Sequence, residues 1–328
     1  MTGIRIAVAG AGTQMSRHLV PALLQAGCTI TAVIDTDLGK AQRLAADLGT
    51  RAAKALRPED ADHFDAIVAA CPPLGHEQLI REAIAAGVPI LVEKPPASDS
   101  SMLRELAGLA QDAGVPVCVG MNYRHTPMLR ALRARIVGAN SRVEYAHVMH
   151  LAPGGPITTW DLAPVRCFML AQAIHPIDQA LALIGAPESA NTVATCDRDG
   201  RIRATWILQA GDCVATVHVA NAGPGFRNTV TAAGTDGAIA EVCNLDELSV
   251  IEAAGRREYR ELSLRRTPFA DVVDRLGFAA SVRGFLAAHA GLESRHGAVE
   301  PVHLDDLVGC YDLLESAIAR CAGSSEGV

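Results

Sequence analysis

Ile4-Arg5-Ile6-Ala7-Val8-Ala9-Gly10-Ala11-Gly12-Thr13-Gln14-Met15 takes an apolar, partly β-branched run straight into two glycines, and a helix-like segment ending near Gln25 follows. A buried parallel strand feeding a dinucleotide-binding turn is written in this order. Gly10 lets the chain reverse tightly and Gly12 lets the backbone approach a pyrophosphate, while the N–H groups opening the next helix point at the anion along the helix dipole. Met15 holds the third glycine position, so the pattern alone also fits an ordinary strand-to-helix loop. Asp35 narrows the choice. It follows the second apolar run, Thr29-Ile30-Thr31-Ala32-Val33-Ile34, twenty positions beyond Met15. A carboxylate there accepts hydrogen bonds from an adenosine ribose and repels a 2′-phosphate. Asp37 adds negative charge and no nearby arginine replaces it. The expected cofactor is NAD, with NADP as the alternative, held by Gly10, Gly12, Thr13, Gln14, Met15, Asp35 and Thr36.

The chain of 328 residues has room for about two domains. A net charge of −7, with scattered Lys and Arg, leaves no electrostatic footprint for nucleic acid or an acidic membrane. The expected partner is a small molecule. Nine cysteines, without a single C-x-x-C pair, read as free thiols of a reducing compartment, and no metal site is expected. No charged leader precedes the first strand and no uninterrupted apolar run reaches bilayer length, so the expected location is cytoplasmic.

In chain order, a helical pattern covers Gly39 to Gly49, and a third apolar run, Asp65 to Ala70, stops at Cys71-Pro72-Pro73. A helix from about Gly75 to Ala86, a strand Pro89 to Val92, a helix from Ser101 to Ala113 and a strand Val115 to Val119 complete the alternation. That is a doubly wound parallel sheet of Rossmann type ending near Gly120. Beyond it the pattern predicts a helix at Met128 to Val137, a strand at Arg142 to His150, a Pro/Gly loop at Pro153 to Pro156 and a helix ending at Gly185. Short alternating strands follow at Ser189 to Cys196, Ile202 to Gln209, Asp212 to Ala220, Asn228 to Ala233, Gly237 to Val242 and Leu248 to Glu252. Asp199-Gly200, Gly211-Asp212 and Asp236-Gly237 punctuate them as turns. Helices at Phe278 to His289 and Leu304 to Cys321 close the chain before a frayed tail, Gly323 to Val328. The expected division is a dinucleotide-binding domain, 1–121, and an α+β domain with a mostly antiparallel open sheet, 122–328, whose C-terminal helix packs back on the first domain in one variant of this reading.

Glu93-Lys94-Pro95 after a nucleotide-binding half resembles the signature of the Gfo/Idh/MocA family, named for glucose-fructose oxidoreductase and inositol dehydrogenase. Gly10-Ala11-Gly12 is similar to that family's phosphate loop, Cys71-Pro72-Pro73-Leu74-Gly75-His76 to its third-strand loop, Asn122-Tyr123-Arg124 to its domain crossover, His175-Pro176-Ile177-Asp178 to its catalytic helix and Gly234-Thr235-Asp236-Gly237 to a turn of its sheet. The resemblance implies a two-domain oxidoreductase, a homodimer or homotetramer joined through the open sheet. It adds Cys71, Pro72, His76, Glu93, Lys94 and Asn122 to the cofactor-binding residues.

Hydride transfer at a carbinol carbon needs one group that stabilises the alkoxide and another that moves the hydroxyl proton. Lys94, following a parallel strand, supplies the cation; against this stands a surface lysine paired with Glu93. His175, an imidazole that titrates near neutrality, is the expected proton carrier. Against it stands a half-buried histidine just before a helix with Pro176 in its first turn. Asp178, favoured in a first turn by the dipole alone, is not assigned a catalytic role. The family's aspartate one turn before the histidine is replaced by Ala171, which disfavours an unmodified cyclitol or hexose. Arg166 suits an anionic or nucleotide-linked substrate end, with a plain helix-edge arginine as the other reading. Gln172 takes an orienting role, and Tyr123, Arg124 and Trp160 complete the expected substrate residues. The leading expectation is an NAD(P)-dependent dehydrogenase or reductase of a modified sugar or secondary-metabolic intermediate. Its rivals are redox-neutral elimination or epimerisation with tightly bound cofactor, and a non-catalytic nucleotide-binding regulator.

Overall fold

The computed structural model describes residues 3–57, 62–138, 141–154, 159–252, 255–259, 272–290 and 299–324. They form two compact units, Met1–Asn122 with Val272–Val308, and Tyr123–Asp271 with Gly309–Val328.

The first unit is built on strands β1 (Arg5–Ala9), β2 (Thr29–Ile34), β3 (Arg51–Ala53), β4 (Ala66–Ala69), β5 (Ile90–Glu93) and β6 (Val117–Gly120), all parallel, with β15 (Val302–His303) added antiparallel to β6. The order is β15-β6-β5-β4-β1-β2-β3. The chain leaves β1 toward β2 on one side and later returns to β4 on the other, so the crevice at the carboxyl ends of β1 and β4 is a topological switch point. Helices Leu38–Leu48, Pro73–Ala86 and Ser100–Ala113 fill the crossovers, and each ends on a left-handed glycine, Gly49, Gly87 or Gly114. Asp37 and Asp99 cap two of them by accepting the Lys40 and Met102 N–H groups.

Two features of this unit escape a chain-order reading. The short strands β3 and β15 carry too few residues for a visible period. Val272–Val308 also lies in the first unit, so a contiguous second domain from 122 to 328 does not describe the chain. Its helix Phe278–His289 buries Phe278, Val282, Phe285 and Leu286 in the same core as Ile6, Val8, Met15, Leu19 and Leu23. Burying such side chains is worth about 1.5–3 kcal/mol each, which keeps the segment with this core.

The second unit is an eight-stranded sheet, β14-β13-β12-β11-β7-β10-β9-β8. Its strands are β7 (Val143–Pro153), β8 (Ser189–Cys196), β9 (Ile202–Ala210), β10 (Cys213–Gly223), β11 (Arg227–Gly234), β12 (Ile239–Cys243), β13 (Glu247–Glu252) and β14 (Gly255–Tyr259). Only β7 with β10 is parallel; the other pairs are antiparallel. Gly200, Gly211 and Gly237 turn the chain at φ of 72°, 57° and 81°. Alternation along β7 buries Ala146, Val148, His150 and Ala152 and leaves Tyr145 exposed. On the inner face, Trp206 is fully buried and donates from Nε1 to the Leu313 carbonyl at 2.8 Å, tying the final helix, Val308–Ser324, to the sheet.

Helix Pro164–Ile184 is continuous over 21 residues and mostly buried, which accounts for its apolar composition. Its middle, Met169–Ala173, is a π-turn. His175 and Pro176 therefore stand inside a helix and not at its start, as the sequence had placed them. Pro176 has no N–H to donate back along the helix, and a π-turn just before it is a common way to absorb such a gap. Residues 323 and 324 belong to the last helix. Residues 325–328 of the expected tail, and 155 and 156 of the expected loop, lie outside the described residues.

Candidate active site

In the first unit the carboxyl ends of β1, β2, β4 and β5 deliver Gly10 to Gly12, Asp35, Cys71 and Lys94. Gly10 has φ +86°, and a Cβ built on it would stand 2.2 Å from the Ala70 carbonyl oxygen. Only glycine fits there. Gly12 differs: a Cβ on it meets no atom within 4 Å among the described residues. Asp35 holds the loop in shape, its Oδ2 accepting the Ala11 N–H at 2.7 Å and its Oδ1 the Asp37 N–H at 2.8 Å. Thr13 and Thr36 are exposed beside it.

Met15 is fully buried in the core. Its side chain packs and does not face a nucleotide, and the helix that starts at Thr13 passes at once into a π-turn, Met15–Leu19, which is wider than an α-turn. Gln14 instead hydrogen-bonds the Glu93 carboxyl.

The loop carrying Lys94 is clamped by the first turn of helix Pro73–Ala86. His76 Nδ1 is 2.9 Å from the Pro95 carbonyl and Nε2 accepts the Cys71 N–H at 3.0 Å, so Nδ1 carries the proton and the ring is neutral. Burial holds His76 down at about 4. Glu77 Oε1 accepts the Ser98 N–H at 2.7 Å. With both nitrogens on main chain, His76 positions the Cys71 and Pro95 loops and offers no atom to a cofactor. Asn122, likewise expected at the cofactor, donates from Nδ2 to the Leu276 carbonyl at 2.8 Å and so holds the returning segment. Burial, reinforced by Asp35, pushes the Cys71 thiol up to about 12.

The Lys94–Pro95 peptide is cis. Burial lowers the Lys94 ammonium against the opposing pull of Glu93. It lifts the Glu93 carboxyl to about 7 against the pull of Lys94. The Glu93 Oε1 is buried without a hydrogen-bond partner among the described residues. A cation in such a dry setting acts more strongly on a neighbouring oxygen than it would in water.

In the second unit Tyr123 stacks on His175, ring centroids 3.9 Å apart and planes 9° from parallel. Phe226 stands edge-on to Tyr123 at 6.4 Å and to His150 at 5.4 Å. His150 Nε2 meets Gln172 Oε1 at 3.1 Å. Arg124 grips Asp178 in a bidentate pair along one edge of its guanidinium, Nε to Oδ2 at 2.9 Å and Nη2 to Oδ1. Asp178 is thus explained by a buried ion pair and not by a helix dipole. Burial raises the Tyr123 hydroxyl to about 12, leaving it protonated. Tyr123, Arg124, Gln172 and His175 thus belong to one constellation. Arg166 does not extend it, since Glu315 takes its two terminal nitrogens at 2.5 and 2.9 Å. Trp160, half-buried with φ 69°, makes no ring contact with the group among the described residues.

His150 and Phe226 were missed from the sequence. His150 had a readable signal, a histidine at an inward position of an alternating strand where alanine and valine stand on either side; Phe226, between two strands, had none.

Residues 4–121 match the family model described as "Oxidoreductase family, NAD-binding Rossmann fold". The chain is 29% identical over 202 residues to the inositol 2-dehydrogenase of Leifsonia xyli subsp. xyli, covering 60% of this chain and 58% of that one. It thus spans less than two thirds of that curated relative. Over 99% of its length it superposes on a dehydrogenase of Chromobacterium violaceum, covering 97% of that chain, with TM-score 0.87 and 24% identity. A UDP-N-acetylglucosamine 3-dehydrogenase of Acidithiobacillus ferrooxidans gives TM-score 0.78 and 22% identity, with 99% of both chains covered. Both structural likenesses concern the fold.

Proposed function

We propose that this chain, which belongs to the Gfo/Idh/MocA oxidoreductase family, is an NAD-dependent oxidoreductase acting at a carbinol or carbonyl carbon of a sugar-type substrate. Gly12 carries the cofactor half of the reading. The protein's own packing gives no reason for glycine there, whereas Gly10 is demanded by Ala70. A reason outside the chain, the approach of a pyrophosphate, accounts for it. The residues present fit that group: Gly10 to Thr13 would hold the pyrophosphate, Asp35 the ribose hydroxyls, and the Cys71 to Pro72 loop and Lys94 the remaining end. When bound, the nicotinamide supplies or accepts the hydride.

Lys94 donates to the oxygen on the reacting carbon and stabilises the charge that grows there. His175 receives the hydroxyl proton in the oxidising direction and returns it in the other. The stacked Tyr123 ring holds the imidazole plane. Asp178 fixes Arg124, whose guanidinium orients a polar group of the substrate. Ala171 offers no carboxylate, and the nearby polar pair is His150 with Gln172, so the substrate is a modified sugar and not a bare polyol. The name of one structural relative, for a nucleotide-linked amino sugar, agrees with that class, whereas the inositol of the curated relative's name is a bare cyclitol and lies outside it.

The reading includes a cytoplasmic location and a homodimer or homotetramer formed through the second sheet. Its outward face carries Tyr145, Ile207, Val214, Ile239 and Ile251, each about two-fifths to one-half exposed.

The test is a fluorescence titration of the purified protein with NADH and NADPH, then turnover on a panel of modified and nucleotide-linked sugars with wild type and Lys94→Ala. Saturable NADH binding with turnover reduced at least about a hundredfold in Lys94→Ala is expected. No binding to folded, stripped protein, or wild-type turnover in the variant, overturns it.

A further inference from the structure

Cys118, His289 and His303 come from three separate parts of the chain, yet their ligand atoms, one from each, all lie within 4.8 Å of one another. All three belong to the first unit and none takes part in the site described above. The backbone explains the meeting. His303 stands directly opposite Cys118 in the pairing of β15 with β6, which puts both side chains on one face. His289 ends helix Phe278–His289, and its ring lies edge-on to that of His303 at 5.2 Å.

Cys118 Sγ and His303 Nδ1 are 3.7 Å apart. An ion with tetrahedral bonds of about 2.3 Å to sulfur and about 2.0–2.1 Å to nitrogen sets its ligand atoms about 3.3–3.6 Å from one another. The sulfur–nitrogen pair already has nearly that spacing. Nε2 of His289 is buried and has no hydrogen-bond partner among the described residues. A buried polar atom left this way is a standing cost that coordination through Nε2 removes. His289 and His303 are both partly exposed, so an ion has a route in from solvent.

We propose that Cys118, His289 and His303 form a binding site for zinc(II). One thiolate and two imidazoles are donors that zinc takes readily, and they are poor partners for magnesium or calcium, which seek oxygen. The fourth position is open to water. Binding moves the Cys118 thiol proton to solvent, and the sulfur enters as thiolate. Burial and the Asp306 carboxylate hold that thiol up at about 12 in the ion-free protein, so coordination itself must drive the deprotonation. The ion would join β6, β15 and the end of helix Phe278–His289. It cross-links the returning segment to the sheet, a structural role. Separations of 171 and 14 positions between the three residues hide the site from any spacing motif.

The experiment uses the full chain, stripped with a chelator and titrated with cobalt(II). About one ion per chain is expected, with a near-ultraviolet thiolate-to-cobalt charge-transfer band that zinc(II) abolishes by displacement. Cys118→Ser should lose the band, and Cys196→Ser, which alters a thiol on β8 of the other unit, should keep it. His303→Ala should lose at least about a hundredfold in cobalt affinity, the top of the range for removing a mere outer partner of a ligand. Should Cys118→Ser fail to fold, His303→Ala decides. No thiolate band in folded wild-type protein, or a band and affinity that survive the substitution of Cys118 or of His303, overturns the proposal.

Discussion

Alanine at position 12 and alanine at position 10 are expected to fail in opposite ways. At Gly10 the new methyl meets the Ala70 carbonyl oxygen at 2.2 Å and its carbon at 2.8 Å, both main-chain atoms that cannot swing aside. The φ of +86° adds the left-handed penalty of an L-residue, about 1–2 kcal/mol. Pushing β1 and β4 apart costs about 1–3 kcal/mol more, as overpacking generally does. The total of about 2–5 kcal/mol is a large share of the roughly 5–15 kcal/mol that holds a protein folded. At Gly12 nothing among the described residues stands within 4 Å, so Gly12→Ala should leave stability within about 0.5 kcal/mol of wild type. Its cost falls on the nucleotide. A methyl on the face that a pyrophosphate approaches should weaken NADH binding at least tenfold, about 1.4 kcal/mol. Thermal unfolding followed by circular dichroism, together with NADH fluorescence titration, separates the two effects. Wild-type NADH affinity in Gly12→Ala would refute the cradle, and a wild-type melting temperature in Gly10→Ala would refute the packing argument.

Asp35→Ser should shift the ratio of NADH to NADPH affinity at least about tenfold toward NADPH, because it removes the carboxylate that repels a 2′-phosphate. It also loosens the loop by taking away the acceptor of the Ala11 N–H, so an unchanged ratio, and not a lower affinity alone, rules out the ribose role. Glu93, lifted by burial from 4.5 to about 7, is protonated more readily in the folded protein than in the unfolded one. Its stabilising contribution is therefore complete below about 4.5 and is lost as pH rises through about 7. Urea unfolding of wild type and Glu93→Gln across that window should show the variant gaining on wild type as pH increases; parallel curves would contradict this. His175→Asn should lower kcat at least about a hundredfold and flatten the pH–rate profile near neutrality, whereas a preserved profile would move the proton transfer to another group.

Much of the architecture was legible because its signals are local. The apolar run into Gly10 and Gly12 and the glycine turns at 200, 211 and 237 each report the conformation of their own few residues. The second sheet was readable because alternation along β7, β9 and β10 follows the two-residue period of a strand. Pro176 misled for the same reason: proline favours a first helical turn locally, and only the packing of Pro164–Ile184 against its sheet carries a helix through it.

What the sequence determined by itself is the order of most of the longer strands and helices, the glycine that the first turn demands and the residue types able to move a hydride's companion proton. The tertiary structure alone decided which polar groups the protein uses up internally. His76 is spent on two loop backbones, Asn122 on Leu276, Arg166 on Glu315 and Asp178 on Arg124. It also decided that Val272–Val308 joins the first core, that His150 meets Gln172, and that Cys118 meets two histidines far along the chain. The physical reason is range. Periodicity and capping are written within a turn or two of chain, whereas a buried donor takes whichever acceptor the folded core brings to it, at any separation in sequence.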